Sequence, residues 1–276
     1  MQAVSPTVIE PGRRPVRQML AELAAARHLL ALLAWRDVTV RYKQSFLGVG
    51  WAVVRPLVTL VIFTFICGGL MGEAARTPGP YPLFLVAGML PWMCFHAALM
   101  GVGTSLVLNR VLVTKVYFTR LALPLAASAT PLIDLAVSMV VLLGLMAWYG
   151  GGGVGGVLVA AAAIGTLMIT AWAVGLTLAA VLAWYRDLKQ GLPFVLQAWM
   201  FLGPVVYDID PWGDSASSWL AWLNPVAGSI MAFRAGVTGA EVPWLVWGWS
   251  VLVSVIGLWL ALLLFSWLEE EMGDVI

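Results

Sequence analysis

Long stretches in which polar residues almost vanish alternate with short segments that collect nearly all the charges. Six apolar stretches, at about 53–72, 82–107, 121–148, 155–183, 192–207 and 244–267, approach or exceed the roughly 20 residues needed to cross a hydrocarbon layer about 30 Å thick. Each reads as a membrane-spanning helix, because in lipid the backbone must satisfy its own hydrogen bonds. The fifth is the shortest. It opens with Pro193, tolerated in a first helical turn, and holds Gly203-Pro204 near its end, where a helix kinks or stops.

The pattern differs before the first span. Over 17–50, apolar clusters (Leu20, Leu23, Leu29, Leu30, Leu32, Leu33, Trp35) are broken too often by Glu22, Arg27, Arg36, Asp37, Arg41 and Lys43 to cross a bilayer. This segment reads as an amphipathic interfacial helix. Residues 1–16 carry prolines and two arginines and read as a disordered cytoplasmic tail, with 268–276 as a second tail. The stretch 208–243 is too long for a hairpin and mixes tryptophan, glycine and proline. It predicts short or re-entrant pieces rather than a full span. Six glycines around Val154 in 150–156 lack the lysine and hydroxyl of a phosphate loop and read as a flexible turn.

Composition excludes a water-soluble globule: 62% of residues are hydrophobic, 11% are charged, and the mean hydropathy is +0.94. The predicted fold is therefore all-α and integral to the membrane, with a six-span domain over 53–267. Net charge is only +1, so the placement of charges matters more than their sum. With a cytoplasmic N-terminus, thirteen of the fifteen lysines and arginines fall inside, leaving Arg76 and Arg234 outside. Both termini are then cytoplasmic. No short apolar core with a small-residue cleavage site opens the chain, so the first span is expected to direct insertion into the cytoplasmic membrane. Cys67 and Cys94 lie in apolar runs and read as small core residues.

Nothing in the sequence builds an active site. The two histidines, His28 and His96, stand far apart, and no zinc or phosphate-loop spacing occurs. Asp134 is the one carboxylate clearly inside a span. An ionisable group at that depth costs roughly 2.5–3.5 kcal/mol on insertion scales and needs an interior partner. It reads either as a proton or cation relay or as a hydrogen-bonding anchor between helices, with Gln197 among the few polar groups in other spans. Between spans two and three, NRVLVTKVYFTR (109–120) alternates three cations with apolar and aromatic residues that read as exposed, Val113, Tyr117 and Phe118. It is either an interfacial segment with snorkelling bases or a docking knob for a cytoplasmic partner. Of the chain's aromatics, many belong to an interfacial belt, while Phe63, Trp92, Phe95, Trp199 and Phe201 could line a path for a bulky amphipathic substrate.

Five ordered motifs add a further constraint: WRDVTVRYKQSFLGVGWAVVRPL (35–57), YPLFLVAGMLPW (81–92), SLVLNRVLVTKVYFTRLALPLA (105–126), WYRDLKQGLPFVLQAWMFLGPVVY (184–207) and LNPVAGSIMAFRAG (223–236). In this order they resemble the polysaccharide and polyol-phosphate export permeases, the transmembrane subunits of type 2 ABC exporters that move O-antigen, capsule or teichoic acid. The resemblance covers about 30–265.

The resemblance implies a homodimer of six-span subunits working with two P-loop ATPase subunits. No cofactor is expected in this chain, since ATP and Mg belong to the partner, and the lipid-linked polysaccharide is the substrate. It further implies an ATPase-coupling loop (Arg110, Lys115, Tyr117, Phe118, Arg120), although Thr119 stands where many relatives have proline. The interfacial helix would carry Arg36, Asp37, Arg41, Tyr42 and Lys43, and a cytoplasmic junction Arg186 and Asp187. An outer gate would include Pro204, Tyr207, Asn224 and Pro225, and Asp134 matches an acid common in the third span. A drug or lipid ABC exporter permease, an ion-coupled secondary transporter and a membrane-embedded enzyme using Asp208, Asp210 and Asp214 remain the alternatives.

Overall fold

The computed structural model describes residues 15–43, 46–70, 72, 77, 79–115, 118–185, 187–213 and 218–275, with the side chains of 115 and 269–275 excepted. Among the described residues every regular element is helical: α1 (Val16–Ala25), α2 (Arg27–Lys43), a 3₁₀ turn (Gly48–Gly50), α3 (Trp51–Phe63) continued by a π-helical stretch (Thr64–Leu70), α4 (Tyr81–Leu108), α5 (Arg110–Lys115), α6 (Ala122–Ala127), α7 (Ala129–Tyr149), α8 (Val154–Trp184), α9 (Leu188–Phe201), α10 (Ser218–Leu223), α11 (Ala227–Thr238) and α12 (Trp244–Val275). Five stretches are long and apolar enough to cross a membrane: Gly48–Leu70, Tyr81–Leu108, Ala122–Tyr149, Val154–Trp184 and Trp244–Leu268. The chain is a multi-pass membrane protein.

Helix α4 is the hub, packed against α3, α6, α7, α8, α9 and α11, and most of its side chains are buried. The α3, α7 and α12 spans keep most of their surface outside the protomer. Helix α8 meets α4, α11 and α12 through small residues, among them Ala163, Ala171, Gly175, Ala179 and Ala183, which let backbones approach closely. Polar contacts reinforce these seams: the Thr170 and Ser254 hydroxyls share a 2.6 Å hydrogen bond between α8 and α12, and Trp247 donates to Thr166 at 3.2 Å.

Four sequence expectations change. The interfacial segment is two helices, α1 and α2, joined at Ala26, with the 3₁₀ turn following. The predicted C-terminal tail continues α12 as helix to Val275. The expected fifth span is a helix of 14 residues, Leu188–Phe201, about 21 Å long at 1.5 Å per residue and so short of a full crossing. Its apolar pattern runs on through Val206 as turns, because hydropathy does not distinguish helical from unwound backbone. Residues 150–156 are more than a turn. The Gly152 N–H donates to the Val237 carbonyl at 2.8 Å, and a Cβ at Gly152 or Gly156 would overlap the Gly236 carbonyl oxygen.

That contact yields a prediction. Gly156→Val is expected to push α8 from α11 and cost about 1–3 kcal/mol, the usual range for overpacking. Thermal unfolding in detergent checks this; an unchanged transition would mean the two helices are not held at this seam.

Candidate functional site

Two polar assemblies lie at opposite ends of the bundle. At one end, α9 stops at Phe201; the Leu202 and Gly203 N–H groups still reach back to its last turn, and residues 203–206 then run buried as turns whose carbonyls lie outside the helical ladder. In lipid, such carbonyls need donors from elsewhere in the protein. Three side chains supply them. Arg234, in the middle of α11 and 6% exposed, donates through Nη2 to the Pro204 carbonyl at 2.6 Å and to the Val205 carbonyl at 3.1 Å. Asn224, in the turn between α10 and α11, donates to the Leu202 carbonyl at 3.3 Å and accepts from the Trp199 indole at 3.0 Å. Tyr81 donates to the Val206 carbonyl at 3.2 Å. Gly88 completes the fit, since a Cβ there would overlap the Val205 carbonyl oxygen.

The helices α10 and α11 thus form a hairpin whose turn holds the C-terminal end of α9. Of the expected gate residues, Pro204 and Asn224 are buried in this contact, Pro225 sits in its turn, and Tyr207 donates to the Phe201 carbonyl at 2.6 Å. Sequence reasoning missed Arg234. Its only signal was a lone cation within the small and apolar residues of α11.

The expected aromatic path is divided. Trp92, Phe95 and Trp199 form one cluster with ring centroids 5.4–6.5 Å apart. Phe95 and Trp92 are buried inside the protomer, so in this conformation they hold α9 to α4 rather than face an open passage. Phe63 is half-buried, while Phe201 points outward with Phe194, Val195 and Gln197 on the free face of α9.

At the other end, α2 joins the bundle through charge. Arg41 pairs with Asp134 at 2.7 Å, and the Tyr42 hydroxyl donates to the same carboxylate. These groups, with Arg55, Cys94 and Ser138, line a cavity of ≈ 120 Å³ between α2, α3, α4 and α7. Burial first, then the hydrogen bond and negative charge of Asp134, push the Tyr42 phenol up to about 12. The Ser138 hydroxyl bonds the Ala52 carbonyl at 2.7 Å and ties α7 to α3 nearby. One turn earlier in α2, Arg36 contacts Asp37 at 2.7 Å and donates to Asn109 at 2.9 Å. Asn109 in turn donates to the Ser105 carbonyl at 2.9 Å, at the end of α4. Lys43 is exposed.

The segment after Asn109 is partly a wall of this end. Val113 is buried, contrary to the exposed position expected for it, and Phe118 is half-buried beside the same apolar cluster, which includes Leu33, Leu121, Ala183 and Phe265. The outward surface carries Arg110, Val111 and Thr114, and Arg120 is half-buried. Asp187 is exposed at the start of α9. Tyr117, Arg186, Arg76 and Asp214 lie outside the described residues, as does the side chain of Lys115.

Comparison with known proteins follows the same extent of chain. The model of the family described as ABC-2 type transporter matches residues 28–238. The O-antigen export system permease protein RfbA of Myxococcus xanthus is 28% identical over 261 residues, covering 94% of this chain and 99% of the relative. Two RfbA permeases of the same description from Klebsiella pneumoniae are 26% and 25% identical, each over 83% of this chain and 89% of its own length.

Proposed function

This chain belongs to the ABC-2 type transporter family, and from that premise we propose that it is the membrane-spanning subunit of an ATP-driven exporter of a lipid-linked polysaccharide of O-antigen, capsule or teichoic-acid type. The observation that carries this reading is the near end-to-end match to an O-antigen export permease. Two P-loop ATPase subunits would bind ATP and Mg, and this chain would contribute no catalytic residue.

The end built by α1, α2, α5 and the last turns of α8 and α12 is the cytoplasmic one, since it gathers Arg17, Arg27, Arg36, Arg41, Arg110 and Arg120. The hairpin α10–α11 then closes the outer side, and α9 with the turns that follow it makes a sixth, broken crossing. A second copy fits against the free face of α9. Gln197 is exposed there at membrane depth, and a polar side chain in that position favours a partner helix or a water-filled passage over lipid. The passage would run between two such faces, with Phe201 on its wall.

Coupling fits the cytoplasmic end. A push on Arg110, Lys115, Tyr117 and Arg120 from the ATPase passes through Asn109 to Arg36 of α2, and from Arg41 and Tyr42 to Asp134 of the third span. Asp134, matched by a cation and a phenol, serves as an anchor between helices rather than a proton relay. Arg110→Glu combined with Lys115→Glu is expected to lower the permease-dependent change in ATP hydrolysis by roughly tenfold, within the range of ordinary coupling energies. The assay reconstitutes the chain with its ATPase in lipid vesicles. If the wild-type chain binds no P-loop ATPase, and its transport follows an ion gradient instead, the exporter reading is wrong.

A further inference from the structure

The outer end holds a groove of ≈ 810 Å³ that none of the expected gate or channel residues explains. Its rim carries three exposed rings: Tyr149 at the end of α7, Trp212 before α10 and Trp244 at the start of α12, which are 45%, 66% and 64% exposed. Belt tryptophans spread around a membrane protein at one depth. These three rings instead converge, from separate parts of the chain, on one concavity that also contains Asp208, Glu241 and Arg234.

Arg234 forms part of the floor. Its Nη2 is occupied by the Pro204 and Val205 carbonyls, and its guanidinium lies 3.6 Å over the Phe84 ring. Its Nε and Nη1 are buried with no hydrogen-bond partner. The nearest anion, Asp208, approaches Nη1 only to 3.9 Å, beyond hydrogen-bond reach, and is itself 45% exposed. Guanidinium only donates and carboxylate only accepts, so a ligand group joining them must do both. A hydroxyl does, at about 2.9 Å from each partner once the Asp208 side chain moves slightly aside. Rings that offer flat apolar faces, beside carboxylates that accept from hydroxyls, suit a polyhydroxylated ring with an apolar C–H face.

We propose that this groove is a saccharide-binding site that receives the exported chain as it leaves the membrane. The proposal rests on the exporter reading and on the orientation given above. Sugar units stack on Trp212 and Trp244 and hydrogen-bond to Asp208 and Glu241. Weak, repeated contacts of this kind favour forward movement by holding the emerged part of the chain on the outer side, without any covalent step.

Photocrosslinking in exporting cells tests this. Benzoylphenylalanine is placed at Trp244 in the groove, or at Trp259, an exposed position further along α12. Conjugates with the cells' own surface polysaccharide are detected by an antibody to that polymer and scored against the amount of each variant in the membrane. The expected result is conjugate at 244, dependent on a working ATPase, and none at 259. Trp212→Ala with Asp208→Ala should lower the yield at 244 several-fold. No conjugate at 244 in cells that export, equal conjugate at both positions, or conjugate that persists with the ATPase inactivated would overturn the proposal. Cells deleted for this chain separate the two claims: if they still export the polymer, the exporter reading fails whatever the crosslinks show.

Discussion

Arg234→Met is expected to destabilise the protein by about 2–5 kcal/mol, because it leaves the buried carbonyls of Pro204 and Val205 without donors at about 1–3 kcal/mol each. Loss of the contact with the Phe84 ring adds to this, while relief of burying a charge subtracts from it. A native domain is stable by only about 5–15 kcal/mol, so the variant should unfold early in detergent or fail to accumulate in the membrane. Arg234→Lys should fall between the two, since an ammonium lacks the planar fork but can still donate to one carbonyl. Asp208→Asn should cost less than Arg234→Met: its carboxylate is half-exposed and stands 3.9 Å from the buried Arg234, and it holds none of the 202–206 carbonyls. Size-exclusion profiles and thermal unfolding order the three variants. If Arg234→Met matched the unaltered chain, Arg234 would not be the support for the unwound 202–206 segment.

The same residue marks the limit of what the sequence discloses. Five crossings were legible because each is a run of apolar residues whose backbone is satisfied locally, and hydropathy reports that condition directly. In the expected fifth span, Gly203-Pro204 marked where the helix stops, but not how the backbone beyond it is held, since Phe201–Leu202 and Val205–Val206 are as apolar as a span. What satisfies the carbonyls past the helix end is a set of donors 22 to 125 residues away in Asn224, Arg234 and Tyr81. The inward turn of Val113 and Phe118 was hidden for a related reason. Alternation of cations with apolar groups shows that a segment is two-faced but not which neighbours take its apolar face, and here it joins the buried cluster that also holds Leu33 and Phe265. Glycines 152 and 156 looked like a flexible turn, because a contact between backbones leaves no side-chain pattern on either strand of sequence. Asp134 was legible as a group that needs a partner. The identity of that partner depended on how α2 lies across α7.

Removing Asp134 is the second change expected to have a large effect, this time on transport more than on folding. The Arg41–Asp134 pair is part-exposed, its side chains 36% and 21% accessible, so breaking it should cost only about 1 kcal/mol of stability after solvent screening. Yet the pair is the direct charged link from α2 to the third span. Asp134→Ala should therefore leave the protein folded, leave ATPase binding intact and reduce export severely. Asp134→Asn should be milder, because an amide oxygen still accepts from Tyr42 while the charge facing Arg41 is lost. Tyr42 reports the change independently: without Asp134 its phenol should titrate below about 12, yet stay above the ordinary 10.0, because burial is the larger cause of its rise. It is neutral at physiological pH in either case, so a loss of export there does not arise from a phenolate. The exchange Arg41→Asp with Asp134→Arg should recover part of the export lost in either single variant, since the attraction between α2 and α7 is restored with its sign reversed. An ion-coupled mechanism makes the opposite demand. It requires a carboxylate at 134 itself, so the exchange would stay inactive and the remaining transport of Asp134→Asn would no longer respond to a proton gradient.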